Sequence, residues 1–141
     1  VQTCALPIYV WSNSVCGHPA SNESPKEAAV RRARHELGIE LEISIVKLLI
    51  PKYRYKYSHQ GVIENEICPV MVVFSDLAPL PNPEEVAETR LIKWQKFVDE
   101  IKSPNKYSEW CQEEALLLDS NFIFRELLKA NSQKTQNLPV L

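Results

Sequence analysis

No uninterrupted apolar run in this sequence approaches the ~20 residues of a membrane-spanning helix, so none is expected. Charge of one sign is not in excess either. Sixteen Lys and Arg against 18 Asp and Glu leave a formal net charge of −2. That balance gives no sign of a nucleic-acid-binding surface, although local basic patches stay possible. Cysteine is sparse, and Cys4, Cys16, Cys68 and Cys111 form no CxxC pair and no zinc-ribbon spacing. Reduced thiols in a cytoplasmic protein are therefore expected. Histidine is limited to His18, His35 and His59. No signal peptide with a basic start and a long apolar run is expected from these residues, nor an internal repeat or a linker. What is present is ordinary: 141 residues, 45% hydrophobic and 24% charged, enough for one domain with a buried core.

The segment that organises the rest runs from Trp11 to Ile39, WSNSVCGHPASNESPKEAAVRRARHELGI. It opens as an alternating stretch, turns through Cys16, Gly17, His18 and Pro19, and enters a helix with readable ends. Ser24 is an N-cap, Pro25 suits the first helical position, and Glu27 completes a capping box. Gly38 after Leu37 is a left-handed C-cap. Downstream, residues 40–57 are rich in Ile, Val, Leu and Tyr and read as a strand with a break at Pro51. Residues 58–61 are a turn and 62–75 a second strand, forming a β-hairpin. A loop with three prolines spans 76–84. A further strand is expected at 86–94 and a short helix at 95–101. Residues 108–130 carry helical spacing with a break at Ser120-Asn121. The order indicates an α/β sandwich with a mixed sheet. Residues 1–8 read as a non-native leader, like translated sequencing-adapter read-through, with native sequence expected upstream of about Trp11. The domain then covers 9–130, and 131–141 form a flexible tail.

Side chains at i and i+2 of an extended segment share a face. Cys16 and His18 then point the same way, as do Glu64 and Glu66. One imidazole and two carboxylates suit Mg2+, Mn2+ or Zn2+. Without further information, the two glutamates read more readily as a solvated strand face. Cys68 and Cys111 read as packed thiols, and Trp11 and Trp94 as core aromatics.

The 17–39 stretch resembles the Nudix box, with Gly17, Glu23, Arg31, Glu36, Gly38 and Ile39 in register. Arg32 stands where the pattern has Glu, and His35 replaces the first of its paired glutamates. The resemblance thus implies the fold without the hydrolase's full set of helix carboxylates. NSVCGHP (13–19) and ENEICPV (64–70), with YRY (53–55) between them, are similar to type I isopentenyl-diphosphate Δ-isomerase, a Nudix-fold isomerase. This second resemblance runs from about Trp11 to about Trp110.

The resemblance implies a 1,3-allylic rearrangement of isopentenyl diphosphate to dimethylallyl diphosphate. An unactivated double bond is protonated to a tertiary carbocation and then loses a proton at a neighbouring carbon, so an acid and a base must flank the substrate. It assigns that pair to Cys16 and Glu66, with Tyr55 assisting Glu66. Trp110 is the matching aromatic for the cation. His18, Glu64 and Glu66 become ligands of Mn2+, Mg2+ or Zn2+. The family adds two histidines upstream of the NSVCGHP string, so the ligand set is incomplete here. Glu36 would hold a diphosphate-bound Mg2+, with the Cys16 carbonyl as co-ligand. Arg32 either meets phosphate oxygens or pairs with Glu36 one turn away. The rivals are a Nudix hydrolase of a nucleoside diphosphate derivative and an inactive fragment. The partner expected is a small-molecule diphosphate, with no nucleic acid and no membrane, and the oligomeric state stays open.

Overall fold

The computed structural model describes residues 10–59, 62–103 and 106–136. The expected leader at 1–8 lies outside them, as do Gln60 and Gly61 of the expected turn and residues 137–141 of the expected tail.

Helix α1 (Pro25–Leu37) has the ends its sequence calls for. Ser24 Oγ accepts from the Glu27 N–H at 3.3 Å, and the Glu27 carboxylate accepts from the Ser24 N–H at 2.7 Å. Those two bonds satisfy donors that a helix start otherwise leaves open. At the far end Gly38 takes φ 62°. A Cβ added there would also meet the Leu80 carbonyl oxygen at 2.9 Å. The 80–82 segment is laid against this helix end, with the Leu80 N–H on the Leu37 carbonyl and the Asn82 N–H on that of Glu36. Gly38→Ala is therefore expected to cost at least ~1–2 kcal/mol from the left-handed backbone alone, read as a lowered midpoint in urea unfolding.

The central β-structure is one long hairpin interrupted at the same level in both arms. Strand β1 (Lys47–Ile50) pairs antiparallel with β4 (Val70–Val72), and β2 (Arg54–His59) with β3 (Val62–Ile67). Pro51 breaks the first arm, as expected. The second arm breaks at Cys68-Pro69, where proline has no N–H to give a ladder. A short 3-10 turn (Ile43–Ile45) replaces the start of the first expected strand.

Two expectations need correction. The strand anticipated at 86–94 is irregular. Its Val, Thr, Leu and Ile content suits a strand, but no ladder partner lies beside it among the described residues, and backbone groups without one do not form a strand. The expected mixed sheet is two antiparallel pairs, and the parallel pairing among the described residues is the isolated bridge of Trp11 with Tyr107. The α/β class itself stands.

Helices α2 (Trp94–Glu100), α3 (Glu109–Ser120) and α4 (Phe122–Gln136) close the core. The break between α3 and α4 has a local cause: Asn121 Oδ1 accepts from the Phe124 N–H at 3.0 Å and starts a new helix. Helix α4 runs to Gln136, six residues into the segment expected to be a tail. Tyr53, Tyr55, Trp110, Cys111, Ala115 and Leu118 are buried together between the hairpin and α3. Trp94 and Trp11 are partly buried against that cluster, in keeping with their reading as core aromatics.

Candidate active site

The loop before α1 is fixed by a charged clamp. Arg31 Nε and Nη2 donate to the two Glu23 oxygens at 2.7 and 2.8 Å, and Nη2 also donates to the His18 carbonyl at 3.1 Å. The Ala20 N–H donates to Glu23 as well. Arg31 beside it, helped by that N–H, holds the Glu23 carboxyl down at about 2. Two residues in register with the Nudix pattern thus hold the His18 backbone in place.

From that loop the His18 ring reaches β3. Its Nε2 lies 2.7 Å from Glu66 Oε1. Tyr55 sits directly opposite Glu66 in the hairpin register and donates its hydroxyl to Glu66 Oε2 at 3.3 Å. Trp110 in turn stacks on Tyr55, with ring centroids 5.8 Å apart and planes at 29°. One contact chain therefore links four residues singled out from sequence, His18, Glu66, Tyr55 and Trp110. Glu64 lies opposite Tyr57 on the same strand, and its side chain falls outside the described residues.

Two of the expected roles change. Cys16 is disulfide-bonded, so the expectation of a reduced thiol does not hold at this position. Cys68 and Cys111 are free. Burial pushes each of these two thiols up to about 12, which makes them poor nucleophiles at neutral pH. Trp110 is 3% exposed and donates its Nε1–H to Ser12 Oγ at 3.1 Å. It packs in the core behind Tyr55 rather than on an open surface.

Glu36 is fully buried, and Arg32 Nε donates to its Oε1 at 2.6 Å. Arg32 also reaches Glu85 Oε2 at 3.2 Å, and His35 Nε2 lies 3.1 Å from Glu85 Oε1. Of the two readings of Arg32, the ion pair with Glu36 is present, but the pair is largely buried rather than exposed. The His35 and Arg32 hydrogen bonds lower the Glu85 carboxyl. Glu85, which sequence reasoning missed, answers the two basic residues that depart from the Nudix pattern. The Arg32 side chain lies over Gly17, where an added Cβ would meet it at 3.2 Å.

A cavity of about 770 Å3 brings these parts together. Cys16, His18, Arg32 and Glu66 line it, and so do Val46 and Phe74. Tyr55, Trp110 and Glu36 do not line it. Charged and apolar walls in one cavity suit a ligand with an anionic head and a hydrocarbon part.

Sequence reasoning also missed Glu114, which is 4% exposed on α3. Asn13 Nδ2 donates to Glu114 Oε2. Desolvation raises the Glu114 carboxyl to about 7 against the opposing hydrogen bonds from Asn13 and Cys68. The signal was available, because Glu114 lies four residues after Trp110 on the helix face that carries Cys111, Ala115 and Leu118.

A divalent ion can be tested against the donors present. Cis ligands of an octahedral ion bound at about 2.0–2.1 Å lie about 3 Å apart. The 2.7 Å between His18 Nε2 and Glu66 Oε1 is close to that spacing. These two donors are in direct hydrogen-bond contact, near enough to share an ion that takes the place of that bond. Among the described residues no group of three such side chains gathers around one point.

Comparison with known proteins gives a consistent result. The NUDIX domain family model matches residues 3–118. The isopentenyl-diphosphate Delta-isomerase of Saccharopolyspora erythraea is 43% identical over 107 residues, covering 74% of this chain and 54% of the relative. That of Paenarthrobacter aurescens is 35% identical over 129 residues, covering 90% of this chain and 64% of the relative. The Shigella boydii enzyme of the same name is 36% identical over 129 residues, with coverages of 88% and 66%. The chain spans about half to two thirds of the length of these curated relatives. No described helix is long and apolar enough to cross a membrane.

Proposed function

We propose that this chain, which belongs to the NUDIX domain family, interconverts isopentenyl and dimethylallyl diphosphates by proton transfer at carbon. The observation that carries the reading is the Glu66 carboxylate held between the His18 imidazole and the Tyr55 hydroxyl, in a cavity that Cys16 also lines. The double bond takes a proton from one member of the Cys16/Glu66 pair, leaving a tertiary cation. The other member removes a proton from a neighbouring carbon, and the double bond re-forms one position along. Cys16 acts as a thiol in this scheme, so its disulfide must first be reduced. Tyr55 orients Glu66 and shares its proton. Trp110 supports Tyr55 by stacking on its ring.

His18 and Glu66, joined by Glu64, would hold Mn2+, Mg2+ or Zn2+. Glu36 is fully buried and paired with Arg32 behind the cavity wall, and would hold a diphosphate-bound Mg2+ with the Cys16 carbonyl only once that pair opens. Such ions supply positive charge that fixes the carboxylates and offsets the diphosphate. Arg32 lines the cavity and would meet phosphate oxygens once it leaves Glu36 and Glu85. The apolar part of the wall excludes water, which would otherwise trap the cation as an alcohol.

The test is to incubate the reduced protein with Mg2+, Mn2+ and isopentenyl diphosphate and follow products by phosphorus NMR. Dimethylallyl diphosphate without phosphate release is the expected result. Phosphate or nucleoside monophosphate from nucleoside diphosphate derivatives, with no allylic product, would replace this reading with hydrolysis.

A further inference from the structure

Helix α3 reaches each of the segments that carry the proposed site. Its Trp110 donates to Ser12, its Glu113 accepts from the Tyr53 hydroxyl at 2.6 Å, and its Glu114 accepts from Asn13. Cys68 is a further hydrogen-bond partner of the Glu114 carboxyl. Asn13 lies three residues before Cys16, and Cys68 two residues after Glu66. One buried carboxyl therefore bridges the loop that presents Cys16 and His18 and the strand that presents Glu66. Glu114 lines the same cavity as those three residues.

We propose that Glu114 is a positioning residue of this site, tying the 13–18 loop to the end of β3 and so setting the spacing of Cys16, His18 and Glu66. The inference rests on the functional reading above. A carboxyl is a poor choice for packing alone, since its neighbours on this face are Trp110, Cys111, Ala115 and Leu118. Burial without an ionic partner is costly, and Glu114 makes no ion pair among the described residues. The groups facing it are Asn13 from the loop, Tyr53 and Cys68 from the hairpin, and Cys111 and Glu113 from α3 itself. None is a cation. The raised carboxyl, at about 7, is the measure of that cost. A residue that burdens the fold and joins two ligand-bearing segments fits a role in geometry.

Mn2+ binding to the whole chain, followed by electron paramagnetic resonance, tests this without relying on turnover. Glu114→Leu is expected to weaken Mn2+ about 10–100-fold, the range for residues that orient metal ligands, while the thermal midpoint holds or rises. Glu114→Gln keeps an acceptor oxygen and should bind close to wild type. Asn13→Ala should reproduce the Glu114→Leu loss, and the double variant should be no weaker than either single one. A merely structural role would lower midpoint and affinity together. Wild-type affinity in a folded Glu114→Leu, or in Asn13→Ala should the first not fold, overturns the inference. His18→Ala separates the two levels. If it loses Mn2+ while Glu114→Leu does not, the positioning role alone fails. If wild type binds no Mn2+, or His18→Ala binds normally, the metal-site reading fails and the inference with it.

Discussion

Cys16→Ala is expected to lower isomerase turnover about 10²–10⁴-fold, the contribution typical of a positioned acid or base, with the fold kept. The loop holding Cys16 is fixed by groups the change does not touch, namely the Arg31–Glu23 clamp and the His18–Glu66 contact. In the reduced chain, where no cross-link is lost, removing a small side chain there should cost little stability. The effect on turnover is large because protonating an unactivated alkene leaves the cation with no other partner on that side. Cys16 is disulfide-bonded here, so wild type should be silent until reduced and active afterwards, whereas Cys16→Ala should stay silent in both conditions. Cys111→Ala supplies the contrast. Cys111 is buried within α3, and its loss should cost about 1 kcal/mol of stability through a small cavity while turnover persists. Parallel assays and urea melts of the two variants check this. Near-wild-type activity in Cys16→Ala would remove the acid/base pair.

The second large effect is on stability and comes from Glu114. Its carboxyl is raised from 4.5 to about 7 in the folded chain by burial. Between those values the folded state keeps a proton that the unfolded state has released. Stability from this group is therefore fully present below about 4.5 and lost as pH rises through about 7. The loss amounts to roughly 3 kcal/mol, at 1.36 kcal/mol per pKa unit. Glu114→Gln should abolish that slope and be the more stable chain at pH 8. The lowered carboxyls of Glu23 and Glu100, each about 2, act in the opposite direction and at lower pH. They are common to both chains and cancel in the comparison. Urea unfolding at pH 5 and pH 8 gives the double difference, and equal pH dependence in the two chains would refute the assignment.

The elements legible in the sequence were those with local causes. Ser24, Glu27 and Gly38 set the ends of α1 through contacts within a few residues, and Asn121 did the same between α3 and α4. Pro51 marked the break in the first hairpin arm, although Pro69 in the second was passed over. What failed depended on distant partners. Residues 86–94 have the composition of a strand but lack a neighbour to pair with, which composition does not encode. The site divides in the same way. His18, Glu66 and Tyr55 come from short strings and Trp110 from the wider resemblance, and the four meet in space. Arg32 was found, but its second partner Glu85 sits 53 residues away. Glu114 contacts Asn13 across 101 residues, and only its place on an apolar helix face hinted at it. The disulfide at Cys16 had no signal in spacing.

Solvent deuterium decides the central claim. Isopentenyl diphosphate incubated in deuterium oxide with the reduced protein, Mg2+ and Mn2+ should yield dimethylallyl diphosphate carrying deuterium at the carbon that accepts the proton, with deuterium also returning to recovered substrate. Allylic product without deuterium would contradict proton transfer through Cys16 and Glu66, and phosphate release without any allylic product would contradict the isomerase reading altogether.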